Sequence, residues 1–94
     1  MAARVRLHPS ALAELGKLPA DLADEILAKV ELLEEFPFLG ARMWDAYEGY
    51  RSLLAARNRY RIVYRVSDDG LVEVAYVRHV RRQWKLRLVR GSEP

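Results

Sequence analysis

The stretch Arg59-Tyr60-Arg61-Ile62-Val63-Tyr64-Arg65-Val66-Ser67, then Asp68-Asp69-Gly70, then Leu71-Val72-Glu73-Val74-Ala75-Tyr76-Val77-Arg78-His79, decides the fold. Side chains alternate between the two faces of a strand. Tyr60, Ile62, Tyr64 and Val66 therefore form one apolar face, while Arg59, Arg61, Val63 and Arg65 point the other way. Asp68-Asp69-Gly70 is a turn signal, and the valine-rich segment after it reads as a second strand. Tyr50 to Ala56 is strand-like as well. Three strands in series make an antiparallel meander with one face for a core and one for arginines.

Upstream the period changes. Leu22, Ile26, Val30 and Leu33 lie on one helical stripe widened by Leu27, which predicts a helix over 21–36. Asp21, Asp24 and Glu25 sit in its first turn, where the helix dipole favours negative charge. Glu25 and Lys29 add a favourable pair one turn apart. Phe36-Pro37 ends it, because a residue before proline avoids helical backbone. A shorter helix begins at Pro9 and Ser10, with Leu12, Leu15 and Leu18 at helical spacing. Val5-Arg6-Leu7 is a short strand candidate. Residues 37–48 read as a loop, with Met43 and Trp44 folding back on the core. Residues 80–89 read as a short C-terminal helix or irregular tail, and 91–94 as a fraying end. The expected class is α+β: a strand, a helix hairpin, then an antiparallel sheet, in one domain of 94 residues.

The formal net charge of +3 conceals a division. Residues 1–48 carry five basic and nine acidic side chains, and residues 49–94 carry eleven basic and four acidic ones. Ten of those eleven are arginines, whose planar fork suits bidentate phosphate contacts. An anionic partner for the C-terminal half follows. There is no cysteine, so disulfides and thiolate metal sites do not arise. His8 and His79 have no metal-ligand spacing around them, and no cofactor is expected. No apolar run reaches the roughly 20 residues a membrane helix needs, and the first residues lack a signal-peptide core. The cytoplasm is the expected location.

The element order and several motifs together resemble the RelE/ParE family of toxins of type II toxin–antitoxin systems. The residues that carry the resemblance are Tyr50-Arg51-Ser52-Leu53, Arg59-Tyr60-Arg61-Ile62-Val63-Tyr64-Arg65-Val66, and the closing segment Val77-Arg78-His79-Val80-Arg81-Arg82-Gln83-Trp84-Lys85. Leu18-Pro19 and Phe36-Pro37 fall at the usual separations, so the likeness spans residues 4–86. RelE-like members cut messenger RNA on the ribosome; ParE-like members bind DNA gyrase and are not enzymes. Either kind implies a cognate antitoxin as partner. Assembly as a homodimer or as a toxin–antitoxin hetero-oligomer stays open. So does a nucleic-acid-binding module without toxicity.

RNA cleavage of the RelE kind needs a base, an acid and cations for the phosphorane. By the resemblance, Arg61 matches the arginine of the strand motif and Arg81 that of the closing segment. Arg51 and Leu53 fall where lysines are usual, and Trp84 falls where a tyrosine is usual. The catalytic candidates are Arg51, Arg61, His79 and Arg81. His79 is included because it is the group in the basic half that titrates near neutrality. Arg57, Arg59, Arg82 and Trp84 are candidates for substrate binding. Tyr60 and Tyr64 read as core aromatics.

Overall fold

The computed structural model describes residues 4–81. The chain begins with strand β1 (Val5–Leu7), followed by helices α1 (Pro9–Gly16) and α2 (Ala20–Leu32). It continues through strands β2 (Ala41–Arg42), β3 (Arg51–Ala55), β4 (Tyr60–Val66) and β5 (Val72–His79). A single 3-10 turn (Asp45–Tyr47) lies between β2 and β3. The sheet order is β1-β5-β4-β3-β2. The predicted meander is present as β3-β4-β5, every step antiparallel. The sheet is nonetheless mixed, because β1 runs parallel to β5. Parallel neighbours need a long crossover, and α1, α2 and the meander together provide it.

Helix α1 starts where proline costs no hydrogen bond, at the first helical position. Its cap is His8, whose Nδ1 accepts from the Ser10 amide at 3.1 Å. The Ser10 hydroxyl in turn donates to the Ala75 carbonyl at 2.6 Å, fixing α1 to β5. Helix α2 ends at Leu32, four residues before the Phe36 that the proline rule marked. Its last turn tightens instead: the amides of Leu33, Glu34 and Glu35 bond three residues back, to Val30, Glu31 and Leu32. Glu34 and Glu35 oppose the negative end of the helix dipole, which favours that early stop.

The core lies between the helices and one sheet face. Ala11, Leu15, Ile26, Val30 and Leu33 meet Ala55, Ile62, Tyr64, Val72, Val74 and Val77 there, all buried. Tyr64 has no exposed surface, and its hydroxyl accepts from the Gly40 amide at 2.8 Å. A Cβ on Gly40 would sit 2.7 Å from the Ser52 carbonyl, so only glycine lets the chain pass there. That close passage sets up β2, which the reading of 37–48 as plain loop did not foresee. Trp44 does not fold back on the core: it is 72% exposed. The expected tail over 80–89 lies outside the described residues, except that Val80 and Arg81 leave β5 with helical backbone.

One register shift occurs, between Val63/Tyr64 of β4 and their β5 partners: Val63 opposes Tyr76, and Tyr64 opposes Val74. Ala75 is the extra residue, a bulge that switches the alternation of β5. On one side of it Val72 and Val74 face the helices, and on the other Val77 and His79 do.

Candidate nucleic-acid interface

The registers sort every strand residue by face. Cross-strand partners share a face, so Leu54, Arg61 and Arg78 lie together, away from α1 and α2. Ser52, Val63 and Tyr76 form the next row of that outer face, and Arg65, Glu73 and Arg6 the row at its far end. Arg65 and Arg61 are four residues apart on β4, about 13 Å along the strand.

The two ends differ in charge balance. At the far end Glu73 answers both cations, with Arg6 at 2.7 Å and Arg65 at 3.6 Å. The hydrogen bond from Arg6, helped by both positive charges, holds the Glu73 carboxyl below the usual glutamate range. At the near end Arg61 and Arg78 stand directly opposite each other. Directly opposed like charges are unfavourable, and neither arginine has a carboxylate partner among the described residues. Arg61 donates to the Ser52 hydroxyl at 3.2 Å, and the Arg78 guanidinium stacks 4.6 Å from the Tyr76 ring centre. The strand ends there in further cations: Arg57 and Arg59 in the β3–β4 turn are exposed, as is Arg81 just past β5.

The predicted residues do not all gather at this place. Arg61 lies in it. Arg51 does not: it pairs in register with Tyr64, on the helix-covered face. Its guanidinium donates to the carbonyl of Gly40 at 2.8 Å and sits 4.9 Å from the Phe38 ring centre. Leu53 is on that face too, packed against the core. The outer-face positions of β3 are Ser52 and Leu54, a parity that the shared motif left one residue out of step. His79 pairs with Tyr60, edge to face at 5.2 Å, again on the helix-covered side. Its Nδ1 accepts from the Arg81 amide at 3.2 Å. This repeats the His8–Ser10 arrangement: each histidine secures the amide two residues on, where a strand gives way to helical backbone. An accepting Nδ1 requires the proton on Nε2. Arg82 and Trp84 lie outside the described residues. Arg78 and Tyr76 were missed as site residues; the period-two pattern that places Arg61 would have found them had the bulge at Ala75 been visible.

A concavity of about 520 Å³ lies at the β2–β3 end of the sheet, lined by Phe38, Arg42, Trp44, Tyr50 and Arg51 among others. Around it Phe36, Phe38 and Leu39 are exposed with Trp44, a strip of large apolar surface. No helix among the described residues is long and apolar enough to cross a membrane.

The sequence profile of the ParE toxin of type II toxin–antitoxin systems, parDE, matches residues 5–84. A comparison with curated proteins finds no match. Among solved structures, the toxin–antitoxin complex RelBE2 from Mycobacterium tuberculosis is similar at 26% identity and a TM-score of 0.70, over 84% of this chain and 99% of that one. The intact RelBE toxin–antitoxin complex of E. coli is similar at 25% identity and 0.68, over 81% and 94%. The isolated E. coli RelE toxin shares the fold, with a TM-score of 0.68 at 23% identity over 93% and 99%. Profile, topology and these likenesses agree: the chain belongs to the RelE/ParE family, the toxins of type II toxin–antitoxin systems.

Proposed function

We propose that this toxin arrests translation as a RelE-like, ribosome-dependent messenger-RNA endoribonuclease. One observation carries the reading: Arg61 and Arg78 stand opposed on neighbouring strands with no carboxylate partner among the described residues. Such a pair is relieved by an anion that both guanidinium groups can grip, and a phosphodiester is the fitting one. In cleavage the RNA 2′-oxygen forms a bond to the adjacent phosphorus while the bond to the 5′-oxygen breaks. The 2′-hydroxyl gives up its proton and the 5′-oxygen gains one. Arg61 and Arg78 stabilise the charge on the phosphorane between these events and remain protonated throughout. Tyr76, whose ring the Arg78 guanidinium covers, holds that group in place. Arg81 extends the cationic end. Arg51 acts through structure, by tying β3 to the Gly40 loop, and His79 by fixing the exit from β5.

A ParE-like reading, inhibition of DNA gyrase without catalysis, is favoured by one specific feature. The outer-face neighbours of Arg61 on β3 are Ser52 and Leu54, and His79 lies on the other face, so among the described residues no histidine or carboxylate base adjoins the arginine pair. Induced expression separates the two. Halted protein synthesis with cut messenger RNA supports the ribonuclease; DNA damage with normal early translation supports gyrase.

A cognate antitoxin is the expected partner in either case, because the similar RelBE structures are toxin–antitoxin complexes. The strip of Phe36, Phe38, Leu39 and Trp44 offers it apolar surface. Burial there stabilises the folded toxin by mass action. The chain should melt at a higher temperature with the product of the adjacent gene; an unchanged melting temperature would refute the assignment.

A further inference from the structure

The turn between β3 and β4 contains no glycine, yet Ala56, Arg57 and Asn58 have φ angles of +53°, +58° and +63°. Left-handed backbone crowds any residue with a Cβ, and three such residues in succession are unusual. Strain of this kind persists where the surroundings impose it, and it concentrates at functional positions. The surroundings here are specific. The Arg59 amide closes the turn on the Ala56 carbonyl at 3.2 Å, and the Arg59 carbonyl accepts from Val80 at 2.9 Å. The turn is thereby fastened to the end of β5, beside Arg78.

Two donors are left over. The amides of Arg57 and Asn58 make no backbone hydrogen bond among the described residues. Successive free amides in a turn can form a concavity that suits an anion. The side chains of Arg57 and Arg59 are exposed and have no ion pair among the described residues. Arg59 precedes Arg61 by two positions on one strand path, about 7 Å, and alternation places both on the outer face. Arg59 thus continues the outer face from Arg61 toward the turn that carries Arg57, with Arg78 beside Arg61 on β5, while the cations at the opposite end are answered by Glu73.

We propose that the turn over residues 56–59 is a phosphate clamp for the backbone of the bound RNA. The Arg57 and Asn58 amides and the Arg57 and Arg59 forks hold a phosphate beyond the one that Arg61 and Arg78 grip. The clamp sets which way the strand runs across the sheet. It rests on the nucleic-acid reading of the outer face. An acidic protein segment is the rival occupant, and the experiment separates the two.

The test uses the full chain and a fluorescein-labelled single-stranded RNA, with anisotropy measured across a salt series. Each lost phosphate contact lowers the slope of log affinity against log salt by about 0.7. The variant Arg57→Ala/Arg59→Ala should therefore lose about 1.4 of slope. Arg57→Lys/Arg59→Lys should keep the slope, and so should Arg42→Ala, which removes an exposed cation of β2. Circular dichroism checks that each variant is folded, and the single Arg57→Ala variant serves if the double one is not. A wild-type slope that survives loss of both arginines overturns the clamp and leaves the Arg61–Arg78 reading standing. A loss of about 0.7 in Arg42→Ala, the full share of one phosphate contact, also overturns it, since the effect would then be diffuse. No RNA binding by the wild-type chain at low salt overturns clamp and interface together. A variant that keeps the RNA slope but loses the adjacent gene's product reassigns the turn to protein binding.

Discussion

Replacing Arg51 by alanine tests whether strand parity or motif likeness identifies the site. Arg51 stands in a family motif, but its guanidinium faces the helices and ties β3 to the loop after α2. Its bond to the Gly40 carbonyl is 2.8 Å long, and the Phe38 ring lies 4.9 Å away. A hydrogen bond from a charged donor contributes about 1.5–3 kcal/mol net. The cation–π contact adds about 0.5–1 kcal/mol at an exposed ring, and Phe38 is 63% exposed. Water reaches part of the vacated position, so the loss should be about 2–3 kcal/mol. For a domain of this size that lowers the melting temperature by about 8–24 °C. Urea denaturation should show an earlier midpoint with an unchanged slope. Below its melting range the variant should bind RNA with the wild-type salt dependence. If Arg51→Ala melts like the wild type and instead loses RNA affinity or toxicity, the assignment of Arg51 to structure is wrong.

Arg61→Ala should have the converse effect: a rate of RNA cleavage lower by about a hundredfold or more at a nearly unchanged melting temperature. Retained cleavage would remove Arg61 from the chemistry. His79→Ala should mainly destabilise the end of β5 through loss of the Tyr60 contact and the Arg81 amide bond. A single neutral-range titration in the cleavage rate, abolished by this change, would instead make His79 a proton-transfer group. Gly40→Ala should prevent stable folding or cost several kcal/mol, on the order of the larger core-disrupting changes, because its Cβ would meet the Ser52 carbonyl at 2.7 Å. Wild-type urea resistance in that variant would show that the loop can shift. The lowered Glu73 pKa makes a stability contribution that is present above the ordinary glutamate range and lost as pH falls through the folded value. Acidification should thus shift the urea midpoint less in Arg6→Ala than in wild type; equal shifts would count against the Arg6–Glu73 pair.

Much of this protein is local in origin, and the sequence determined that much. The alternation of Tyr60, Ile62, Tyr64 and Val66 identifies a strand with one buried face, because a period of two admits no other regular backbone. The stripe Leu22, Ile26, Val30 and Leu33 does the same for α2. Gly70, at φ +86°, closes the Asp68-Asp69-Gly70 turn as its type requires. The concentration of arginine after residue 49 points to an anionic partner before any fold is known. The tertiary structure alone decided which arginines act together. Parity between strands depends on register, and register depends on long-range pairing. The single extra residue Ala75 reverses the faces of β5, bringing Arg78 beside Arg61 and turning His79 toward Tyr60. The parallel pairing of β1 with β5 joins segments 67 residues apart, and no local pattern encodes it. The left-handed turn at Ala56, Arg57 and Asn58 carries no glycine to announce it, since the strands and the Val80 bond impose it from outside. Composition marked this half of the chain as cationic, but only the packed sheet decided that Glu73 neutralises one end and that Arg61 and Arg78 at the other have no carboxylate partner among the described residues.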